Sequence, residues 1–409
     1  MTTRVLDWTG QRLEVEVGPV AHGGHCVARH EGRVVFLRHA LPGEVVVAEV
    51  TEDAGKGFCR ADAVEVRTPA PGRVEPPGPL AAIERGADRC GGCDFQHASG
   101  PTQRELKASV ISEQLRRIAG IERDVEVQEM DGGLLRWRTR VRLSVDDAGR
   151  PGFRAHRSHR VIPVGDCPIT ASGAVGGLAG QWEPRTELEI AEDSTGTAHV
   201  SVREERRCRR APAASRQVRG SGTAEESAIG RRWQVSAHGF WQVHFAAADT
   251  FSEAVRRMAR APAGGVAWDL YGGVGLFAAV LAEQVGEGGQ VLMVESARRA
   301  VEDAEANLAD LPQVRCRTGT VEKVVRNPRL RNPDVVVLDP PRKGAGREVV
   351  RVLADRGPSR VVHVACDPAA LARDVGLFAE RGYRLTELEA FDAFPMTHHV
   401  ECLAVLERG

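Results

Sequence analysis

VAWDLYGGVGLFAAVLAEQVGEGGQVLMVE, residues 266–295, decides the fold. Apolar β-formers run into Asp269, and Leu-Tyr-Gly-Gly-Val-Gly follows as a turn. LFAAVLAEQV then has helical length and spacing, and QVLMVE is a second strand. The alternation continues to the C-terminus. ARRAVEDAEANLADL reads as helix, VRCRTG as a short strand, DVVVLDPPRKG as strand and loop, and GREVVRVLAD as helix. SRVVHVACDP is a further strand, followed by a helix and two closing strands, YRLTELEAFDAFP and HHVECLAVLER. This order predicts a doubly wound α/β domain over residues 235–409, with ligands at the carboxyl ends of the strands.

The first turn is built for a nucleoside. Glycines let the backbone approach a ligand, and the helix N-terminus behind them adds positive potential. Glu295 lies twenty residues after Gly275, the spacing of an acid that accepts hydrogen bonds from ribose hydroxyls. The glycine pattern is GGVG, not G-x-G-x-x-G, which puts S-adenosyl-L-methionine ahead of NAD. A glycine turn without a ligand is the plainer alternative. After the fourth strand comes Asp339-Pro340-Pro341-Arg342-Lys343-Gly344. The prolines stiffen the loop and hold Asp339 at the sheet's edge, and Arg342 and Lys343 could meet a phosphate. A purely structural proline turn has the same composition.

VVHVACDPAALARD, residues 361–374, places Cys366 at a strand end just before a helix start. Such a cysteine can be presented into a crevice with a lowered thiol pKa and act as a nucleophile. Most free cysteines are instead small buried hydrophobes.

The 409 residues suggest two or three domains. An apolar share of 42% and a charged share of 27% are those of a soluble globular chain. Net charge is −1, so any nucleic-acid surface must be local. There is no signal-peptide core and no run of transmembrane length, and the nine cysteines are irregularly spaced. A cytoplasmic protein with reduced thiols is expected, with no membrane and no obligate protein partner.

Residues 1–68 read as short strands punctuated by Gly, Pro and Asp, which suggests a small barrel. Arg29, His30, Arg33, Arg38 and His39 could form a phosphate-facing patch on it. A linker, PAPGRVEPPGP, precedes a middle segment over residues 75–234. In this segment Cys90-x2-Cys93 is a metal or cluster half-site, with Cys167 a third candidate ligand; iron–sulfur, zinc and no metal all remain open. Arg104–Ala119 has helical apolar spacing. The next stretch carries Arg136, Arg138, Arg140, Arg142, Arg150, Arg154, Arg157 and Arg160 with just two acids. Alternating arginines on a strand share one face, and guanidinium suits bidentate phosphate contact, so RNA contact is expected there. A second basic block, Arg203–Arg219, reads as a loop-rich arm.

FWQVH (Phe240–His244), DLYGGVG, LDPPRKG, ACDPAALARD and FPMTHHVE together resemble the uridine carbon-5 RNA methyltransferases, five motifs in order across the catalytic domain. The pattern around GHCVAR and the Leu-Pro-Gly-Glu turn at 41–44 resembles the TRAM domain, an OB-like barrel of RNA-modifying enzymes. The resemblance implies an S-adenosylmethionine-dependent fold behind a TRAM barrel and an α+β middle. It implies cofactor contacts at Gln242, Tyr271, Glu295 and Asp339, Cys366 as nucleophile and Glu401 as base. It also implies a [4Fe–4S] cluster on Cys90, Cys93 and Cys167, although Glu84 stands where many members carry a further cysteine. His244 replaces a usual Asn, and Gly272 a common Cys. The barrel and cysteine motif together point to 23S ribosomal RNA ahead of transfer RNA.

Uracil carbon 5 is a poor nucleophile. A thiolate adding to carbon 6 makes an enolate whose carbon 5 can take a sulfonium methyl. A base must then remove the extra carbon-5 hydrogen so that elimination frees the cysteine. The target base must leave its stack to be reached. Two other classes compete: a non-catalytic RNA-binding or assembly protein, and cytosine carbon-5 methylation. The latter is disfavoured because the fourth-strand loop is DPPR and lacks a Pro-Cys nucleophile.

Overall fold

The computed structural model describes residues 7–172, 174–178, 180–204 and 215–409. Ten residues of the second basic block, 205–214, lie outside the described residues. The chain on either side of them forms paired strands, Ala198–Glu204 and Ser215–Arg219.

The N-terminal segment is a curled sheet of six strands in the order Arg12–Glu16, Val45–Glu52, Phe58–Thr68, Arg33–Arg38, His25–His30, Val20–Ala21. Alternate residues point inward: Leu13 and Val15, Val35 and Leu37, Val46, Ala48 and Val50 are all buried. Gly18 lets one strand cross close to another, since a Cβ there would sit 2.5 Å from the Val27 carbonyl oxygen. In the Leu-Pro-Gly-Glu turn, Glu44 is fully buried and accepts from Leu41 N (2.8 Å), Ala70 N (3.1 Å) and Arg73. A buried carboxylate with that many donors is a fixed hinge pin between barrel and linker.

A second six-stranded antiparallel sheet follows, in the order Val161–Pro163, Pro151–Arg154, Arg140–Val145, Thr186–Glu192, Ala198–Glu204, Ser215–Arg219. The helix Gly100–Gln114, continued through Leu115–Ala119, does not join that sheet. Its Ile111 and Leu115 pack into the core of the C-terminal domain, while its Leu106 packs into the barrel core.

The C-terminal sheet has eight strands in the order Val314–Thr318, Gln290–Glu295, Val266–Leu270, Val335–Leu338, Arg360–Ala365, Glu401–Arg408, Tyr383–Phe391, Val127–Gln128. The first five are parallel. Glu401–Arg408 runs antiparallel between Arg360–Ala365 and Tyr383–Phe391. The expected α/β winding therefore ends in an antiparallel hairpin, and the outermost strand comes from the middle of the chain. Both faces are covered: Phe251, Phe277 and Leu281 lie on one, and Trp268, Leu353, Leu371 and Phe378 on the other. The continuous apolar strands reflect this double burial. Reversal of the last strand puts Glu401 at its start, beside the end of the strand that carries Cys366; Ala365 pairs with Cys402. No described helix is long and apolar enough to cross a membrane.

Candidate active site

Gln242, Tyr271, Glu295, Asp339, Cys366 and Glu401 all line one cleft of about 1450 Å³ at the carboxyl ends of the parallel strands. The glycine turn forms its floor. Tyr271 (φ 64°), Gly273 (φ 54°) and Gly275 (φ 91°) take left-handed backbone, which turns the chain sharply into the helix Leu276–Val285. A Cβ on Gly272 would lie 2.7 Å from Met293 Cγ and 2.8 Å from Asp269 Oδ2. The glycine found there in place of the family's cysteine is therefore matched to its neighbours in this chain. Glu295 braces the turn, accepting from Gly273 N (3.3 Å) and Ala297 N (2.7 Å).

Asp339 follows the strand Val335–Leu338, and its amide donates to the Leu270 carbonyl at 3.1 Å. Burial pushes its carboxyl up to about 7; His363 pulls it down, and Glu295 pushes it further up. Glu401 is 5% exposed. Burial, then Asp339, hold it well above the usual carboxylate range. Asp269, fully buried beneath the glycine turn, is pushed up to about 8 by burial and by Asp339.

Cys366 is half-buried between these acids. Its thiol is pushed up to about 12 by burial, then by Glu401 and Asp339; Arg342 pulls the other way. A lowered pKa was expected from the helix start, and this expectation is corrected. The physical reason is burial beside the two acids, and the helix start does not offset it. The Asp367 carboxylate caps the helix Pro368–Ala379 by accepting from Ala370 N at 2.8 Å.

Three further residues shape the cleft, each within a stretch the sequence singled out but without an assigned role there. Arg138 lines it, with Nε donating to the Arg140 carbonyl (2.9 Å). Phe240, 66% exposed, stands at its rim. His398 bonds Asp94 Oδ2 through Nδ1 at 2.6 Å, and the amides of Asp94 and Phe95 both donate to the Met396 carbonyl. The Cys-Gly-Gly-Cys-Asp turn thereby fixes the loop that leads to Glu401. An Asp directly after the CGGC pair was the available signal.

The arginine-rich stretch is largely neutralised. Arg136 forks onto Asp166 (2.7 and 2.6 Å), Arg142 meets Glu189 and Arg150 meets Asp146. Arg140 is buried against Glu226 at 2.9 Å. Arg154 pairs with Glu187, Arg157 with Glu52 and Arg160 with Asp88. In place of one open row, most of these arginines are ion-paired, largely with acids from other segments, while Arg138 faces the cleft. The barrel patch is also partly absorbed: Arg33 is clamped by Asp53 (2.7 Å) and stacks over Trp8, and burial holds His39 well below its ordinary value.

Cys90, Cys93 and Cys167 line a separate cavity of about 230 Å³. Glu84 is exposed on the turn Ile83–Asp88 and lines a neighbouring pocket instead. No group of three or more His, Cys, Asp or Glu side chains that could hold a metal ion occurs among the described residues. Burial raises all three thiols, Cys93 to about 12, and the three fall one short of the four cysteines that usually hold a cluster. The residues present do not fit an iron–sulfur cluster, and that expectation is corrected.

Comparison with known proteins agrees with this layout. Residues 8–64 match the TRAM domain model, and residues 329–409 match the tRNA (Uracil-5-)-methyltransferase model. An RNA methyltransferase of Streptomyces avermitilis is 45% identical over 97% of this chain and 98% of its own length. The chain belongs to the TRAM-containing RNA methyltransferases of the uracil-5 family. Another RNA methyltransferase, from Corynebacterium glutamicum, is 37% identical with both chains fully covered. The tRNA (uracil-54, C5)-methyltransferase of Pyrococcus abyssi, solved with S-adenosyl-L-homocysteine, shares the fold: its TM-score is 0.73 at 22% identity, covering 96% of this chain and all of that one.

Proposed function

We propose that this methyltransferase makes 5-methyluridine in RNA, using S-adenosylmethionine as donor, Cys366 as nucleophile and Glu401 as base. The observation that carries the reading is the set of acids around the cleft. Glu295, Asp339 and Glu401 line one cavity, and burial and mutual repulsion hold the last two above the ordinary carboxylate range. Perturbed acids gathered in a cleft point to chemistry rather than packing. A cationic methyl donor relieves that repulsion, whereas the pyrophosphate of NAD would add to it.

When bound, the cofactor supplies an electrophilic methyl on a cationic sulfur. Glu295, at the end of the second strand, is the acceptor for ribose hydroxyls. Gln242, Tyr271 and Asp339 complete the donor site. On the substrate side, Cys366 Sγ forms a bond to uracil carbon 6, and the electron pair of the ring double bond moves into the enolate. Carbon 5 would take the methyl group as its bond to the donor sulfur breaks, the electron pair staying on that sulfur as a neutral thioether. Glu401 then accepts the carbon-5 proton, the double bond re-forms, and the carbon–sulfur bond breaks. In the empty cleft the Cys366 thiol is pushed up to about 12, so little of it is thiolate. A cation beside Asp339 and Glu401 offsets the two charges that raise it, so the thiolate forms once the donor is in place. Arg138 and Phe240 are suited to hold a uridine turned out of its stack.

A single experiment tests the reading: incubation with RNA bearing 5-fluorouridine and the methyl donor. Fluorine cannot leave as a proton, so a covalent adduct at Cys366 is expected, and free enzyme at the end sinks the mechanism.

Two RNA classes compete as substrate, both cytoplasmic. Ribosomal RNA was favoured by the barrel together with a cysteine cluster, and the misfit of the metal set removes half of that ground. The name of the matching family model and that of the Pyrococcus relative favour transfer RNA as a second reading. Mapping 5-methyluridine in both RNA fractions from cells lacking the protein separates them.

A further inference from the structure

The barrel reaches the nucleophile. Its turn between the strands Val20–Ala21 and His25–His30 carries His22, whose Nε2 lies 2.9 Å from Asp367 Oδ2. Asp367 is the residue after Cys366 and caps the helix that begins there. Beside it, Gly24 (φ 79°) runs against the loop leading to Glu401; a Cβ at Gly24 would lie 2.5 Å from His398 Cβ. Barrel and catalytic domain thereby enclose a small chamber of about 90 Å³ behind the nucleophile, lined by His22, Lys107, Arg342, Cys366, Asp367 and His398 among others. This chamber is distinct from the substrate cleft, and the two share Arg342, Cys366, His398 and His399.

We infer that His22 is a positioning residue for Cys366, by which the barrel closes the rear wall of the active site and fixes the helix cap next to the sulfur. The barrel is then part of the catalytic apparatus and not only a handle for RNA. The contact is an ion pair between partly exposed groups, with side-chain exposures of 41% and 25%. The hydrogen bond to Asp367 raises His22 above its ordinary value, burial opposes, Arg373 lowers it and Glu113 raises it. The other charged or titratable groups facing the junction are His25, Lys107, Arg342, His398 and His399. A raised histidine contributes its charge fully below the ordinary value of 6.5 and loses it as pH climbs through the raised one.

The inference rests on Cys366 being the nucleophile, yet its test needs neither RNA nor methyl donor, so the two can fail separately. Full-length wild type, His22→Ala and His22→Gln are treated with iodoacetamide from about pH 6 to about pH 9, and Cys366 alkylation is followed by peptide mass spectrometry. Opening the chamber wets the sulfur. His22→Ala is expected to alkylate about threefold faster at the acid end, with the gap narrowing as pH rises. His22→Gln keeps a neutral amide donor for Asp367 and is expected to match wild type at the alkaline end and to lie between wild type and the alanine variant at the acid end. In methyl-transfer assays kcat falls in the alanine variant while KM for the donor is unchanged. Equal alkylation of alanine variant and wild type at every pH overturns the inference, as does a glutamine variant that behaves like alanine.

Discussion

In the central sheet, Arg140 is held by Glu226 and by the carbonyls of Ala237 and Gly239, so its charge is met within the chain. In the catalytic cleft, Glu401 is buried and Asp339 half-buried, and no arginine or lysine is among the groups that stabilise their charge. Both regions gather like charges, the arginines from one stretch and the acids from strand ends far apart in the sequence. One resolves them at folding, and the other leaves them unresolved until a ligand arrives. Buried charge that folding satisfies is architecture, and buried charge left unsatisfied marks where binding free energy is gained.

The hardest blow to this contrast is removal of the sulfur. Cys366→Ala is expected to lose methyl transfer by at least about 10⁴-fold and to form no adduct on 5-fluorouridine RNA, with an unchanged melting temperature. Measurable turnover would place the nucleophile elsewhere. Next, Glu401→Gln is expected to slow turnover by about 10² to 10³-fold while still adding to the base, so that the methylated adduct accumulates on ordinary RNA. Denaturing gels read this directly, and a variant that turns over without adduct assigns the base to another residue.

A third prediction concerns protons. Asp339 is raised to about 7, so the folded apo-protein binds a proton there that the unfolded chain releases near 3.8. Its contribution therefore favours folding at low pH and declines as pH rises from about 4 to about 7. A cationic donor favours the carboxylate, so donor binding at about pH 6.5 is expected to release protons and to weaken about tenfold per pH unit of acidification below the raised value. Calorimetry in buffers of different ionisation enthalpy measures it, and Asp339→Asn is expected to reduce the release by the share that Asp339 contributes. The smallest effects belong to the central sheet. Arg140→Ala is expected to cost about 3 kcal/mol of stability, because Glu226 is left buried and unpaired. Arg142→Ala, at an exposed pair with Glu189, is expected to cost less than about 1 kcal/mol and to leave methyl transfer unchanged. Denaturant titration of both variants tests whether burial sets the difference.

Much of the site was legible before folding was considered. Asp269, Glu295, Asp339 and Cys366 each end, or directly follow, an apolar run of β-formers, and parallel strands deliver such ends to one edge. Glu401 was legible through its motif, although the reversal of its strand was not spelled out by local pattern. The state of the arginines was hidden, because Glu52, Asp88 and Glu226 reach them from far along the chain. The partnership of His22 with Asp367 was equally hidden, since 345 residues separate them. The helix after Gly100 showed its apolar stripe in the sequence, but not that the stripe would be shared by two domains.

The sequence by itself determined the order of strands and helices, the glycine turn and the residues standing at strand ends, because these follow from backbone conformation and a periodicity of a few residues. Only the tertiary structure decided the protonation of Cys366, Asp339 and Glu401, and which charges were left unanswered. Desolvation and Coulomb interaction depend on neighbours within a few ångströms, and those neighbours are chosen by the fold and not by the chain's local order.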